Sequence, residues 1–88
     1  MSMSEPLRIL VADDNHVDRL LLSTILRREG YVVAEAVDGP DALVQFRSFH
    51  PQMVLLDALM PGLDGFEVAH FIKEEAGEDF VPIIFLTS

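Results

Sequence analysis

Three runs of this chain are apolar along their whole length and not only at alternate positions: Ile9-Leu10-Val11-Ala12, Met53-Val54-Leu55-Leu56 and Ile83-Ile84-Phe85-Leu86. A strand with one face in water alternates apolar and polar residues, whereas a strand apolar throughout is covered on both faces. The segments between the runs carry helical periodicity. Strands that alternate with helical crossovers build a parallel sheet with helices on either side, so the pattern predicts an α/β, doubly wound fold. With 88 residues the chain makes one domain with a small core.

The intervening segments supply their own start and stop signals. Val17, Leu20, Leu21 and Ile25 recur at helical spacing after Asn15, a good N-cap, with Asp18 favouring the positive helix end and Gly30 ending the helix. Residues 31–36, mixed in polarity, read as a second strand at a sheet edge. Asp38-Gly39-Pro40 opens a second helix with Ala42, Phe46 and Phe49 on one face, and His50-Pro51 closes it. Asp64-Gly65-Phe66-Glu67 resembles a capping box, and Val68, Phe71 and Ile72 mark the buried face of a third helix. The phenylalanines Phe46, Phe49, Phe66 and Phe71 are expected in the core. Residues 1–6 read as a tail and residues 7–88 as the folded unit, without internal repeat or linker.

Each apolar run ends in oxygen-bearing side chains: Asp13-Asp14, Asp57, and Thr87-Ser88. Right-handed crossovers, with the winding reversed after the second strand, place the first and third strands side by side. Asp13, Asp14 and Asp57 then meet at the switch-point crevice where such sheets bind ligands. Clustered carboxylates repel one another unless a cation or donors compensate, so the arrangement asks for a hard metal ion and suggests phosphoryl chemistry.

Composition removes several alternatives. A formal charge of −9, from 15 acidic and 6 basic residues, disfavours nucleic acid as a direct partner. Cysteine is absent, which excludes disulfides and thiol catalysis. No apolar run is long enough to span a bilayer, and a soluble cytoplasmic protein is the expectation. The three histidines, His16, His50 and His70, share no metal-ligand spacing, and His16 near the acidic rim reads as a surface residue.

The acidic pair Asp13-Asp14 with Asn15, the strand-end Asp57, the stretch Asp57-Ala58-Leu59-Met60-Pro61-Gly62-Leu63-Asp64-Gly65, and Leu86-Thr87 together resemble the receiver domains of two-component response regulators. The resemblance runs from about Leu7 to Thr87. It implies a flavodoxin-like sheet and a phosphorelay function in which Asp57 takes a phosphoryl group from a phosphohistidine. The partner it implies is a sensor histidine kinase or phosphotransfer protein. It further implies Mg²⁺, with Mn²⁺ as the alternative, held by Asp14, Asp57 and the main-chain carbonyl of Leu59, and by Asp13 through a metal-bound water. Thr87 is the implied switch hydroxyl. Met60-Pro61 and Gly65 are then structural, shaping the loop that presents Leu59.

The same resemblance carries a departure. A receiver continues through a helix, a strand and a last helix beyond the fourth strand, and its lysine lies after that fifth strand, so this chain is expected to be a truncated form, phosphorylated poorly. Lys73, about 13 Å along the third helix from its Asp64 cap, cannot replace that lysine, and Arg19 sits on the wrong element. The open fourth strand leads to the expectation of a homodimer through that edge. Two alternatives remain beside phosphotransfer: a receiver-like interaction module, and a Mg²⁺-dependent phosphohydrolase of the haloacid dehalogenase type. The second requires an aspartate where this chain has Leu59.

Overall fold

A computed structural model of the chain describes residues 5–86. The elements are β1 (Arg8–Ala12), α1 (His16–Arg28), β2 (Val32–Ala36), α2 (Gly39–Phe49), β3 (Met53–Asp57), α3 (Gly65–Ala76) and β4 (Ile83–Leu86). The four strands form one parallel sheet in the order β2-β1-β3-β4. This is the doubly wound arrangement expected from the uniformly apolar runs, with the mixed-polarity β2 at one edge. Among the described residues β4 forms the other edge, and its Ile84 and Phe85 are exposed.

Alternation along each strand divides the core in two. Leu10, Ala12, Ala36, Val54 and Leu56 face α2 and α3, where they meet Ala42, Phe46, Val68, Ala69 and Ile72, with Met60 of the loop after β3 packed among them. Ile9, Val11 and Leu55 face the other way, toward Leu22 and Leu26 of α1. Each helix follows a strand, after a short turn for α1 and α2 and the loop of residues 58–64 for α3, and is capped by an Asx side chain. Asn15, Asp38 and Asp64 accept hydrogen bonds from the N–H groups of Asp18, Asp41 and Glu67 at 2.9, 2.8 and 2.9 Å. Asp64 and Glu67 thus make one half of a capping box. Gly30, at φ +94°, carries the chain from α1 into β2, as the sequence suggests.

The assembled sheet decides which helix faces are buried. The stripe Val17, Leu20, Leu21 and Ile25 is exposed, Val17 by 70%, and α1 meets the sheet through Arg19, Leu22, Ser23 and Leu26 instead. Both stripes have helical spacing. Hydropathy selects the first because the second contains an arginine and a serine, but Arg19 is paired across the sheet edge and Ser23 is small enough for close approach. Phe66 and Phe71 are likewise not core: α3 buries Val68, Ala69 and Ile72, and Phe66, 63% exposed, lies against Phe85 with ring centroids 4.8 Å apart. Phe46 is buried as expected and Phe49 half-buried.

Glycine governs how closely α3 approaches the end of β3. A Cβ on Gly65 would lie 2.4 Å from the Asp57 carbonyl oxygen and 2.7 Å from the Ala58 Cα, both backbone atoms. Gly65→Ala therefore forces the start of α3 away from Asp57, and urea denaturation should show a loss of about 2 kcal/mol, the scale of overpacking. Unchanged stability would mean that this approach is not constrained.

Candidate functional site

The register that pairs Ala12 with Leu56 puts the residues just beyond them, Asp13 and Asp57, next to each other at the C-terminal rim of the sheet. Asp57 is the last residue of β3, and Asp13 follows the last residue of β1. Both are buried, with 8% of Asp13 and 5% of Asp57 exposed, while Asp14 faces solvent. One carboxylate oxygen from each of Asp13, Asp14 and Asp57 lies within 4.8 Å of the other two.

Main-chain donors orient two of these carboxylates. The Asn15 N–H donates to Asp13 Oδ1 at 2.9 Å, and the Leu59 N–H donates to Asp57 Oδ1 at 3.0 Å. The loop after Asp57 is held by the Gly65 N–H, which donates to the Ala58 carbonyl at 3.1 Å, and by Met60, buried in the core. This explains the structural roles of Met60 and Gly65. Burial holds the Asp13 carboxyl above the ordinary carboxylate range; the Asn15 N–H opposes that, and the neighbouring Asp57 adds to it. An all-oxygen donor set, crowded enough that Asp57 adds to the raised proton affinity of Asp13, fits a hard divalent cation.

The other residues singled out in the sequence are placed differently. Leu59 lies beside Asp57, its side chain 74% exposed. Thr87 lies outside the described residues. Lys73 is exposed in the last turn of α3, on an element whose N-terminus and not its C-terminus approaches the rim. His16 is exposed, but its Nδ1 lies 2.9 Å from Arg19 Nη2. Arg19, set aside in the sequence as belonging to the wrong element, is buried and donates from Nη1 to the Asp13 carbonyl at 2.8 Å. Its signal was Glu35, a lone charge within β2, with which Arg19 forms an ion pair at 3.3 Å.

Comparison with known proteins agrees with this geometry. The family model described as "Response regulator receiver domain" matches residues 9–88. Protein PilG of Pseudomonas aeruginosa is 35% identical over 85 residues, which are 97% of this chain and 63% of PilG. Response regulator PleD of Caulobacter vibrioides is 40% identical over 81 residues, 92% of this chain and 18% of PleD. The chain thus spans less than two thirds of either relative. Among solved structures, the Thermotoga maritima response regulator TrrA in complex with Mg²⁺-BeF is 42% identical at a TM-score of 0.84, covering 92% of this chain and 69% of that one.

The crowding at Asp13 has a measurable consequence. A carboxyl whose folded-state pKa is raised favours folding while protonated and loses that advantage as pH rises through the raised value. Without divalent ions at neutral pH, Asp13→Asn should therefore raise Tm by a few degrees, and the gain should shrink on acidification as the native carboxyl takes up its proton. Millimolar Mg²⁺ should reverse the order, because an ion stabilises only the form that binds it. Thermal unfolding from pH 4 to pH 7.5, with and without Mg²⁺, tests this; a variant no more stable than the native protein in metal-free neutral buffer rules out the crowding.

Proposed function

The chain belongs to the response regulator receiver domains of two-component signal transduction, and from that premise we propose that Asp57 accepts a phosphoryl group from a phosphohistidine on a sensor kinase or phosphotransfer protein. The observation that carries this reading is the convergence of Asp13, Asp14 and Asp57 at the mouth between β1 and β3. A carboxylate oxygen of Asp57 attacks phosphorus, an O–P bond forms, and the P–N bond breaks with its electron pair returning to the imidazole nitrogen. The product is an acyl phosphate.

The residues of the chain contribute positioning. The Leu59 N–H fixes one oxygen of Asp57, which orients the other. Burial of Asp57 at the strand end limits the directions from which phosphorus can approach. Asp14, Asp57 and the Leu59 carbonyl would hold Mg²⁺, or Mn²⁺ in its place, with Asp13 contributing indirectly. Such an ion would supply charge neutralisation for phosphoryl transfer. The switch hydroxyl of this reading is Thr87. A hydrolase of the dehalogenase type is disfavoured, because Leu59 has no carboxyl to act as its general acid.

Labelling with a small phosphodonor or a phosphorylated histidine protein tests the assignment. Asp57→Asn should abolish acid-stable, base-labile label in the full protein, and Asp14→Ala should weaken Mg²⁺ at least about tenfold by calorimetry. Label that survives Asp57→Asn refutes the phosphoacceptor, and unchanged Mg²⁺ affinity in Asp14→Ala refutes the metal site.

A further inference from the structure

Asp13 and Asp14 lie beyond the last residue that β1 pairs with its neighbours, so their positions depend on what holds the loop. Mutual repulsion among the three carboxylates pushes that loop outward. Two backbone anchors oppose it. The Asp13 N–H donates to the Ala36 carbonyl at 3.1 Å, and the Asp13 carbonyl accepts from Arg19 Nη1 at 2.8 Å. Both anchors lead to β2, because Arg19 Nε is paired with Glu35 Oε1 at 3.3 Å.

The bonded carbonyl belongs to the peptide group that joins Asp13 to Asp14. Its orientation therefore sets the direction of one carboxylate relative to the other. Arg19 reaches it from the second turn of α1, with its side chain 10% exposed and its Nη2 on His16 Nδ1. Three partners in three directions suit a rigid guanidinium fork, which stays charged at any relevant pH, and do not suit an ammonium. Glu35 is in turn held by Arg27, whose Nη1 lies 3.1 Å from Oε2 and whose Nη2 donates to the Val33 carbonyl at 3.2 Å. Two arginines of one helix thus clamp a single strand glutamate, and one of them extends the clamp to the acidic loop.

We propose that Arg19 is a positioning residue for the acidic site: by holding the Asp13–Asp14 peptide against β2, it sets the affinity of Asp13 and Asp14 for a divalent cation. This rests on the metal site proposed above. Changes to groups that orient metal ligands weaken binding by about 10- to 100-fold. Arg19→Lys, which keeps the charge but loses the fork, should then weaken Mg²⁺ about tenfold, and Glu35→Gln by a smaller factor. Adding Glu35→Gln to Arg19→Lys should weaken it little further, since both act through one bond.

Calorimetric titration of MgCl₂ into the full protein, beside thermal unfolding and amide NMR spectra, separates positioning from simple stabilisation. Arg47→Gln, which breaks the remote, exposed Arg47–Glu75 pair between α2 and α3, should leave Mg²⁺ affinity unchanged whatever small change it makes to stability. Arg19→Lys should lose affinity and shift the Asp14 and Asn15 amides. A folded Arg19→Lys protein with native affinity overturns the proposal. If Arg19→Lys does not fold, Glu35→Gln decides: native affinity and unmoved Asp14 and Asn15 amides overturn the proposal, whereas reduced affinity with shifted amides supports it. Asp14→Ala in parallel keeps the two claims apart: if it binds Mg²⁺ normally, the metal site is wrong, whereas lost binding there with native affinity in Arg19→Lys rejects Arg19 alone.

Discussion

Three carboxylates whose oxygens lie within 4.8 Å of one another repel strongly, and two of them are buried. Much of the surrounding structure opposes that repulsion. Backbone N–H groups from Asn15 and Leu59 bind the buried pair, and the Asp13 backbone is tied to β2 on one side and to Arg19 on the other. Repulsion is also what makes the cluster useful. A site strained by like charge gains most from a hard cation, and a cation beside a nucleophilic carboxylate is the requirement of phosphoryl transfer.

The rim exists because of packing elsewhere. Parallel pairing of β1 with β3 brings Asp13 and Asp57 together, and that pairing is held by apolar layers on both faces of the sheet. The loops are fixed from beneath. Met60 anchors the loop after Asp57 in the core, and Gly65 lets α3 begin against the Asp57 carbonyl where any side chain would collide. Gly39 has the same part at the start of α2, where a Cβ would lie 2.6 Å from the Leu63 carbonyl oxygen. Close backbone approach at these two glycines brings the loops over the sheet to the acidic rim.

The topology of the receiver family and the chemistry of its site are therefore one problem. A sheet that reverses its winding between β2 and β3 opens a crevice at the C-terminal ends of β1 and β3, and residues at those ends face each other whatever lies at the opposite edge. The match to TrrA covers 92% of this chain and 69% of that structure.

Hydropathy and punctuation determined the element order, the parallel sheet, the three Asx caps and the meeting of Asp13, Asp14 and Asp57, because each follows from local periodicity or from the topology of crossovers. The faces of α1 and α3 were decided only by tertiary structure. Val17, Leu20, Leu21 and Ile25 have the spacing of a buried stripe, and an apolar stripe cannot reveal that the sheet prefers Arg19, Leu22, Ser23 and Leu26. That choice depends on Glu35, which lies on another element and satisfies the buried guanidinium. Phe66 and Phe71 lose to smaller residues because α3 must sit close enough to β3 for Gly65 to touch the Asp57 backbone. Long-range pairing of a charge and close approach at a glycine are properties of the assembled sheet. A single sequence records the residues that permit them and not the contacts they make.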